Sequence, residues 1–437
     1  MTSRLRSLAS IGADDVGREL SVAGWVEDVR NLGGIAFLIL RQREGTLQVT
    51  VKKKGHEALF EKAAGIVRES AVAAAGVVQA NKEVRNGWEL LATSVEVLAP
   101  AAAPLPLPVA DRVGAEMDTR FDNRFLDLRK PERRAIFRVR AAVTDAIRAH
   151  LRRQGFVEVQ TPKLTGAGAE GGATLFETTY FGKRAFLSQS PQLYKQMLMA
   201  TGLDRVYEIG PAFRAEPSDT VRHVTEFTSF DAEIAWISGP EDYLRALEET
   251  VAYAVEAVRT EAKAELSLLG ADPKPLTLPL RRVPYAKALE LLRSSGRRVR
   301  DGDDIDTEGE KALGRVLADE GHEAYFLTDY PTAIKPFYVM AKPDDPEYSL
   351  SFDLEYKGDE MASGGQREHR VDVLTDRMKA KGLDPASFEF YLKAFRYGMP
   401  PHGGWGFGID RFVQKLLDLP NIREAILFPR DRNRLVP

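Results

Sequence analysis

The sequence predicts an α+β protein with two parts, a small N-terminal barrel of β-strands and a larger domain in which helices flank an antiparallel sheet. Five short β segments separated by turn residues lie between Leu20 and about Leu98. After residue 130, long helical stretches accompany two strands that a short loop joins. A chain of 437 residues can bury a separate core in each part.

The N-terminal segment has the strand pattern of a small closed barrel. Its β segments are SVAGWVEDV, IAFLILR, TLQVTVK, AVAAAGVVQA and WELLATSVEVL, and its helical stretch is HEALFEKAAGIVRE. Five strands fit an oligonucleotide/oligosaccharide-binding (OB) barrel. Residues 100–109 are rich in proline, which continues neither a helix nor a central strand. We therefore expect an OB-fold domain at 1–104, a hinge at 105–130 and a second domain at 131–437, with a helical insertion at about 239–320.

The amino-acid composition excludes several kinds of catalytic and metal site, but it does not indicate which partners the protein binds. The 61 Lys and Arg residues nearly balance the 64 Asp and Glu residues, so the net charge of −3 gives no global signature of nucleic-acid binding. The absence of cysteine excludes disulfides, thiolate metal sites and cysteine nucleophiles, which favours hard cations such as Mg²⁺ on oxygen ligands. No apolar run is long enough to span a bilayer, so we expect a cytoplasmic protein with no membrane partner.

The second domain contains two strands, at about 206–216 and 223–236, whose side chains alternate with period two. Arg214 and Glu216 fall on one face of the first strand. In the second strand Phe230, Ala232, Ile234 and Trp236 share one face, which leaves a polar face that also carries an aromatic ring. That polar face, a suitable platform for a ligand, consists of Phe227, Ser229, Asp231 and Glu233.

Three motifs follow one another in the second domain: an amphipathic helix with a strand ending at Pro162, FRAE in a hairpin, and GWGFGIDR entering a helix. This order resembles the three motifs of class II aminoacyl-tRNA synthetases. The resemblance covers essentially the whole chain and is greatest to the aspartyl enzymes of the archaeal and eukaryotic type. The stretches that carry it are QSPQLYKQ, YEIGPAFRAE, SGGQREH, FRYGMPPHGGWG and LFPRDRNRLVP.

The resemblance implies an ATP site built on two catalytic arginines, Arg214 and Arg411. Amino-acid activation requires a carboxylate to attack the α-phosphate of ATP, so negative charge on oxygen must be stabilised. Arg214 is expected to hold the α-phosphate and the carboxylate, and Arg411 to lie against adenine and the γ-phosphate, because a guanidinium makes paired charge-assisted hydrogen bonds. The other ATP-binding residues implied are Glu216, Arg222, His223, Val224, Phe227, Glu360, Gly408, Ile409 and Asp410.

Within this set the family's roles are specific. Glu216 is expected to accept a hydrogen bond from the adenine amino group, and Phe227 to stack beneath the ring. Arg222 and His223 match residues that reach the distal phosphates. Ser218 stands where the family commonly has a histidine, so the loop that joins the two strands departs from the usual pattern.

A magnesium site is implied around the turn at Lys357 and Gly358. Asp353 and Glu360 flank this turn, and the Ser363 hydroxyl follows. The family's Mg²⁺ site resembles this set of oxygen donors. Taken without the resemblance, two acids seven residues apart are more often part of a solvated surface.

The aspartate-binding residues implied are Glu170, Gln192, Lys195, Arg214, Ser363 and Arg367. Lys195 stands where aspartate enzymes have a lysine for the substrate's side-chain carboxylate and asparagine enzymes do not, and Arg367 should complete the clamp. An amide substrate would leave a desolvated cation poorly paired. Glu170, in a glycine-rich loop, resembles the acidic residue that meets the substrate's ammonium group.

Phe37 and Gln48 of the barrel are spaced as in the family's anticodon-binding face. Stacking a base on an aromatic ring and reading its edge with an amide is a common way to recognise single-stranded RNA. Phe37 could equally belong to the barrel core. Relatives that also charge the asparagine tRNA tend to have His and Pro at the positions of Glu27 and Arg85, so these two residues favour an enzyme restricted to tRNA-Asp.

The resemblance thus implies a homodimeric enzyme that uses ATP and Mg²⁺ to attach L-aspartate to tRNA-Asp. Four alternatives stay open. An asparaginyl enzyme or one that charges both tRNAs has the same scaffold, but Lys195 disfavours the first. A biosynthetic relative that makes an amide without tRNA is disfavoured by the barrel. A non-catalytic RNA-binding protein should have lost Arg214, Glu360 or Arg411, and all three are present.

Overall fold

The computed structural model describes residues 5–43, 45–109, 114–166, 174–217 and 220–437. The chain divides into two compact units, Met1–Lys130 and Pro131–Pro437. No described helix is long and apolar enough to cross a membrane.

The first unit contains a closed five-stranded barrel in the order β1-β2-β3-β5-β4, as the sequence predicts. Alternate side chains fill its interior, for example Leu38 on β2 and Val49 on β3, which are fully buried. Its elements are β1 (Glu19–Asn31), β2 (Ile35–Gln42), β3 (Gly45–Lys52), α1 (Glu57–Ala64), β4 (Ala71–Ala80), β5 (Trp88–Ala99), α2 (Met117–Asp122) and α3 (Arg124–Asp127).

The second unit is built on an eight-stranded sheet in the order β12-β13-β14-β15-β16-β11-β10-β6. Its central pairs are antiparallel, and only the pairs at the two edges, β12-β13 and β6-β10, are parallel. A separate three-stranded sheet has the order β7-β9-β8. The strands are β6 (Val157–Glu158), β7 (Leu164–Thr165), β8 (Glu177–Tyr180), β9 (Lys183–Leu187), β10 (Arg205–Phe213), β11 (Glu226–Ala235), β12 (Arg281–Pro284), β13 (Ala324–Thr328), β14 (Ser351–Tyr356), β15 (Asp359–Gln366) and β16 (His402–Gly408).

Helices cover this sheet, which confirms the α+β class. The segment at 239–320 contains four of them, α6 to α9, together with the edge strand β12. The helices are α4 (Pro131–Arg153), α5 (Gln192–Leu198), α6 (Pro240–Glu261), α7 (Lys263–Leu269), α8 (Tyr285–Ser294), α9 (Thr307–Asp319), α10 (Val371–Ala380), α11 (Glu389–Arg396) and α12 (Ile409–Leu416).

The main core lies between one face of the sheet and the helices α4 and α6. The apolar stripe of α4, which includes Val139 and Val143, is buried, as its helical spacing predicts. Phe230 and Ala232 of β11 belong to the same core and are fully buried. The polar residues that alternate with them on β11 therefore point to the other face of the sheet.

Candidate active site

A cavity of about 910 Å³ opens on the polar face of the sheet. The ends of β10, β11, β15 and β16 and the start of α12 line it, and Ser229 and Asp231 of β11 form part of its floor. Most of the residues that the sequence assigns to ATP and aspartate meet here, although they come from distant parts of the chain. Those that line the cavity are Gln192, Arg214, Glu216, Arg222, His223, Val224, Phe227, Glu360, Ser363, Arg367, Gly408, Asp410 and Arg411.

Three predicted residues lie behind the cavity wall. Ile409 is fully buried in the core and does not line the cavity. Lys195 and Asp353 are buried and paired with other side chains. Glu170 and Ser218 lie outside the described residues.

Arg214 and Arg411 bring positive charge to the cavity. Arg214 follows the end of β10, and its guanidinium lies 5.2 Å from the centre of the Phe227 ring. Arg411, in the first turn of α12, donates from Nη1 to the carbonyl oxygen of Glu360 at 2.9 Å. Burial lowers the pKa of Arg411, Glu360 opposes this shift, and Arg222 and Arg214 add to it. A buried cation beside other cations is stabilised by an anionic ligand such as a phosphate.

His223 and Glu216 line the same cavity. The His223 Nε2 atom lies 3.9 Å from Oε2 of Glu216, and its Nδ1 lies 2.6 Å from the Thr220 hydroxyl. Burial lowers the pKa of His223, although Glu216 acts in the opposite direction. The imidazole is therefore neutral at pH 7, and it offers a phosphate one N–H donor rather than a full charge.

Arg222 is held from one side by two carboxylates that the sequence analysis did not single out. Its Nη2 donates to Oε2 of Glu310 on α9 at 2.9 Å and forms an ion pair with Asp359 on β15. Its Nη1 is buried and has no hydrogen-bond partner among the described residues. The acid-rich segment around Glu310 was visible in the sequence, but no local pattern connects it to Arg222.

A β-bulge brings the predicted magnesium ligands to one face of the sheet. Asp353 on β14 pairs with Ser363 on β15, and Glu355 pairs with Glu360, with a register shift between them. The extra residue in β15 turns Glu360 to the same side as Ser363 although they are three positions apart. Burial raises the pKa of Glu360 to about 7, and Asp353 adds to the shift while Arg411 opposes it.

These donors fit a hard divalent cation in their chemistry, since carboxylate and hydroxyl oxygens are what Mg²⁺ prefers. Within the described residues, no group of three or more His, Asp or Glu side chains forms a complete metal site. Lys335 donates from Nζ to Oδ2 of Asp353 at 3.0 Å and so neutralises that carboxylate. Phosphate oxygens of a nucleotide would have to supply the remaining ligands, as is usual for Mg²⁺.

A buried network of two cations and two carboxylates lies at the floor of the cavity. Lys195 donates from Nζ to Oδ1 of Asp231 at 2.9 Å and to the carbonyl oxygen of Trp405 at 2.7 Å, and it lies 3.7 Å from Glu233. Arg367 binds both oxygens of Glu233, at 2.8 and 3.2 Å. We call these four residues, Lys195, Asp231, Glu233 and Arg367, the Lys195 network. Asp231 and Glu233 are the polar face of β11 that the alternation predicts.

A chain of amides extends this network to His402, which the sequence analysis did not assign. The His402 Nδ1 atom faces the carbonyl oxygen of Pro400 at 2.8 Å, so it carries the proton. Nε2 then accepts from Gln196 at 3.2 Å, and Gln196 accepts from Gln192 at 2.9 Å. Burial lowers the pKa of His402 to about 4, although Glu233 opposes this. The orientation of the cavity residue Gln192 is therefore fixed from behind.

The glycines of β16 serve close packing of the sheet. A Cβ atom at Gly404 would lie 2.1 Å from the carbonyl oxygen of Ala232 on β11. At Gly408, where the strand meets α12, a Cβ would have no atom closer than 3.8 Å. Backbones therefore approach closely between strands at Gly404, whereas Gly408 borders the cavity.

On the barrel, Phe37 and Gln48 share the outer face. Phe37 pairs with Thr50 and Ile39 pairs with Gln48, which makes Phe37 and Gln48 diagonal neighbours on adjacent strands. Phe37 is half-buried and lies outside the barrel core, whose β2 members are Ala36, Leu38 and Leu40. Gln48 donates to Glu89 at 2.8 Å.

The two residues predicted to discriminate between tRNAs lie elsewhere on the barrel unit. Glu27 on β1 accepts from Nη1 of Arg41 at 3.4 Å. Arg85 is exposed in the turn between β4 and β5. Both positions are outside the barrel core.

The clustered arginines beside an aromatic ring, the carboxylate and hydroxyl donors and the buried cations of this cavity have the chemistry that a site for ATP and a carboxylate needs. Comparison with known families agrees with this chemistry. The family described as tRNA synthetases class II (D, K and N) matches residues 116–432, and the OB-fold nucleic acid binding domain matches residues 20–98. The chain belongs to the class II tRNA synthetases (D, K and N), and it is an aminoacyl-tRNA synthetase that uses ATP as a substrate.

Individual members of the family show which enzymes the chain resembles in sequence and in structure. The chain is 51% identical to the aspartate–tRNA(Asp) ligase of Thermococcus kodakarensis over 96% of this chain and 97% of the relative. It is 48% identical to the aspartate–tRNA(Asp/Asn) ligase of Methanoculleus marisnigri over 95% of this chain and 96% of the relative. Among solved structures, the asparaginyl-tRNA synthetase of Pyrococcus horikoshii with asparaginyl-adenylate has a TM-score of 0.91 and 35% identity, and both chains are covered completely.

Proposed function

We propose that the protein activates L-aspartate with ATP and transfers the aspartyl group to tRNA-Asp. The observation that carries the proposal is the buried cation pair of the Lys195 network, which lies at the floor of a cavity lined by Arg214 and Arg411. Backbone similarity does not select the amino acid, because an asparaginyl enzyme shares the fold. The choice between an acid and an amide rests on charge.

The Lys195 network contains N–H donors that remain for an anionic ligand. A lysine ammonium has three N–H donors, and the acceptors of two of them are Asp231 and Trp405. Arg367 uses Nε and Nη2 on Glu233, which leaves Nη1 for a ligand at the cavity wall. A carboxylate at the cavity wall can accept from Arg367, and Lys195 behind the wall adds positive charge to the same place. The NH₂ group of asparagine would meet these donors with another donor, which costs several powers of ten in selectivity.

The chemistry then follows from positioning and charge. An oxygen of the α-carboxylate of aspartate attacks the α-phosphorus of ATP, and pyrophosphate leaves. Arg214 holds the two reacting groups, and Phe227 and Glu216 hold adenine. In the second step the 3′-hydroxyl of the terminal adenosine attacks the aspartyl carbonyl, its proton passes to a phosphate oxygen of the adenylate, and AMP leaves. No side chain needs to act as an obligate base, because alignment and charge stabilisation supply the rate.

We propose Mg²⁺ as the cofactor. Glu360 and Ser363 would hold it, together with Asp353 once Lys335 is displaced. The ion supplies charge neutralisation at the phosphate oxygens. The raised pKa of Glu360 supports the proposal, because a bound cation would compensate a carboxylate that burial otherwise disfavours.

We propose that Phe37 and Gln48 read the anticodon, and that Glu27 and Arg85 restrict the enzyme to tRNA-Asp. Charging of both tRNA-Asp and tRNA-Asn is the second candidate, because relatives with nearly the same identity carry either name. The outer-face position of Phe37 supports base stacking.

Pyrophosphate exchange into ATP, followed by charging of purified tRNA-Asp and tRNA-Asn transcripts, tests these proposals. We expect exchange with aspartate alone and charging of tRNA-Asp alone. Charging of both tRNAs would establish the second candidate. Exchange with asparagine would replace the aspartate proposal with an asparaginyl enzyme, and exchange without charging would point to a biosynthetic relative.

We also propose that the enzyme is a cytoplasmic homodimer. Val157 and Leu164 are large apolar residues on either side of Pro162, and each exposes more than two fifths of its surface. Burial of such exposed apolar side chains against a second subunit would remove them from water. Light scattering on the purified chain should give twice the mass of one chain. A monomeric mass at micromolar concentration would contradict the dimer without affecting the proposed reaction.

A further inference from the structure

We propose that Glu310, in the segment that precedes the catalytic strands β14 and β15, is a positioning residue for ATP. In this proposal it holds Arg222 so that Arg222 can donate from Nη1 to a distal phosphate. The inference rests on the proposed ATP-binding role of Arg222 and adds a residue that the sequence motifs do not include. It also gives α9, whose sequence carries no recognisable motif, a role in nucleotide binding.

The first step is the geometry of the guanidinium. Glu310 and Asp359 both engage Nη2 of Arg222, and the opposite terminal nitrogen, Nη1, is buried without a partner in the described part of the chain. Leaving a buried donor without an acceptor is costly, so native proteins rarely do so unless a ligand supplies the acceptor. Arg222 lines the cavity, so a nucleotide is placed to supply it.

The second step is how Glu310 reaches this position. Helix α9 packs against the turn between β14 and β15 with almost no space, because a Cβ atom at Gly314 would lie 2.5 Å from the Cα atom of Gly358. Asp359 follows this turn directly, so the contact between the two glycines places the carboxylates of Asp359 and Glu310 beside each other. Two neighbouring carboxylates repel each other and need cations: Lys415 pairs with Asp359 alone, and Arg222 pairs with both Asp359 and Glu310.

The third step is burial. The side chains of Arg222 and Glu310 are 12% and 16% exposed, so little solvent screens their ion pair. A buried charged hydrogen bond fixes the orientation of a guanidinium far better than an exposed one. Glu310 itself does not line the cavity, so it acts through Arg222.

The test compares the variants Glu310→Ala, Glu310→Gln, Arg222→Ala and the double variant in aspartate-dependent pyrophosphate exchange. We expect Glu310→Ala to raise KM for ATP roughly 10- to 100-fold, with a smaller rise for Glu310→Gln, whose amide oxygen can still accept from Nη2. The double variant should match Arg222→Ala within about twofold, because Glu310 acts only through Arg222.

Two controls separate positioning from a general loss of structure. Glu308→Ala removes an exposed carboxylate of the same helix, paired with Lys311, and should leave KM for ATP unchanged. Calorimetric titration with ATP and with AMP should show weaker ATP binding but unchanged AMP binding in Glu310→Gln. AMP lacks the distal phosphates that Arg222 is proposed to contact.

The outcomes are distinct. Additive effects of the two substitutions, or equal losses for ATP and AMP, would overturn the positioning role of Glu310. Nucleotide titrations need no amino acid. They therefore test the role of Glu310 even if wild-type exchange depends on an amino acid other than aspartate. If Glu310→Ala does not fold, the positioning role of Glu310 is tested by comparing Glu310→Gln with Arg222→Ala.

Discussion

At the scale of single residues, the amino-acid specificity depends on a balance of buried charges. The Lys195 network contains two cations and two carboxylates, each less than one tenth exposed, and it is neutral as a whole. Such a group is stable only while every member is present, because removal of one partner leaves an uncompensated buried charge. Selectivity and stability therefore depend on the same side chains.

The variant Lys195→Met should have both a lower stability and a lower activity with aspartate. The methionine has a similar length but no charge, so Asp231 and Glu233 would share Arg367 alone. We expect a loss of about 3–5 kcal/mol in the free energy of unfolding and a fall of at least roughly 100-fold in aspartate-dependent exchange. Urea denaturation and pyrophosphate exchange measure the two effects.

The double variant Lys195→Met/Asp231→Asn is the control, because it restores neutrality without restoring the cation. Stability should recover in part and exchange should not. Recovery of aspartate activation in the double variant would show that Lys195 balances Asp231 and does not select the substrate.

His402 should make the stability of the catalytic unit depend on pH. Burial lowers its pKa from 6.5 to about 4, and Arg367 and His369 add to the shift while Glu233 and the Pro400 carbonyl oppose it. The unfolded chain takes up a proton near pH 6.5 and the folded chain does not. The stabilisation is therefore present above pH 6.5 and is lost as the pH falls towards 4, by up to about 3 kcal/mol.

Urea denaturation at several pH values between 4 and 7 measures this dependence, and His402→Gln is the matched variant. Its free energy of unfolding should fall less steeply over the same range. Parallel slopes for the two proteins would show that other groups cause the acid lability.

At the scale of elements, alternation and helical spacing predicted which faces of the strands and helices are buried. The polar face of β11 and the buried stripe of α4 follow directly from side-chain periodicity. The β-bulge in β15 does not, because an extra residue in a strand leaves no trace in the alternation of a short segment. Glu310 was also beyond prediction, since its partner Arg222 is 88 residues away.

The contact between α9 and the turn before β15 makes a prediction about Gly314. The variant Gly314→Ala places a Cβ atom against the backbone of Gly358, which cannot move without shifting Asp359. We expect a loss of about 1–3 kcal/mol in stability and a higher KM for ATP, because α9 carries Glu310 away from Arg222. Thermal unfolding and exchange kinetics measure both.

Arg315→Ala is the matched control, because Arg315 is the next residue of α9 and is exposed. It should change neither property. A normal KM for ATP in a destabilised Gly314→Ala protein would separate the packing of α9 from nucleotide binding.

At the scale of the whole molecule, the sequence predicted two structural parts with separate tasks. The barrel topology and the class II assignment are confirmed by the fold and by the matched families. Specificity for an amino acid and for a tRNA is not a property of either fold, since relatives of different specificity share both. It depends on a few side chains, so it must be tested by substitution.

The variants Phe37→Ala and Gln48→Ala test the division of tasks. Both residues lie in the barrel, in a unit that contains none of the residues lining the catalytic cavity. Aspartate-dependent exchange needs no tRNA, so we expect it to stay at the wild-type level. Charging of tRNA-Asp should weaken by roughly 10- to 100-fold in kcat/KM for Phe37→Ala, because stacking contributes about 1–3 kcal/mol per base.

Gln48→Ala should lower the preference for tRNA-Asp over tRNAs with a different anticodon more than it lowers affinity, because an amide reads the edge of a base. Ala substitution of Lys54, an exposed residue beyond the end of β3, is the control for nonspecific attraction to phosphate. If Phe37→Ala charges tRNA-Asp normally while Lys54→Ala does not, the barrel binds RNA by charge rather than by stacking, and its outer face is not the anticodon site.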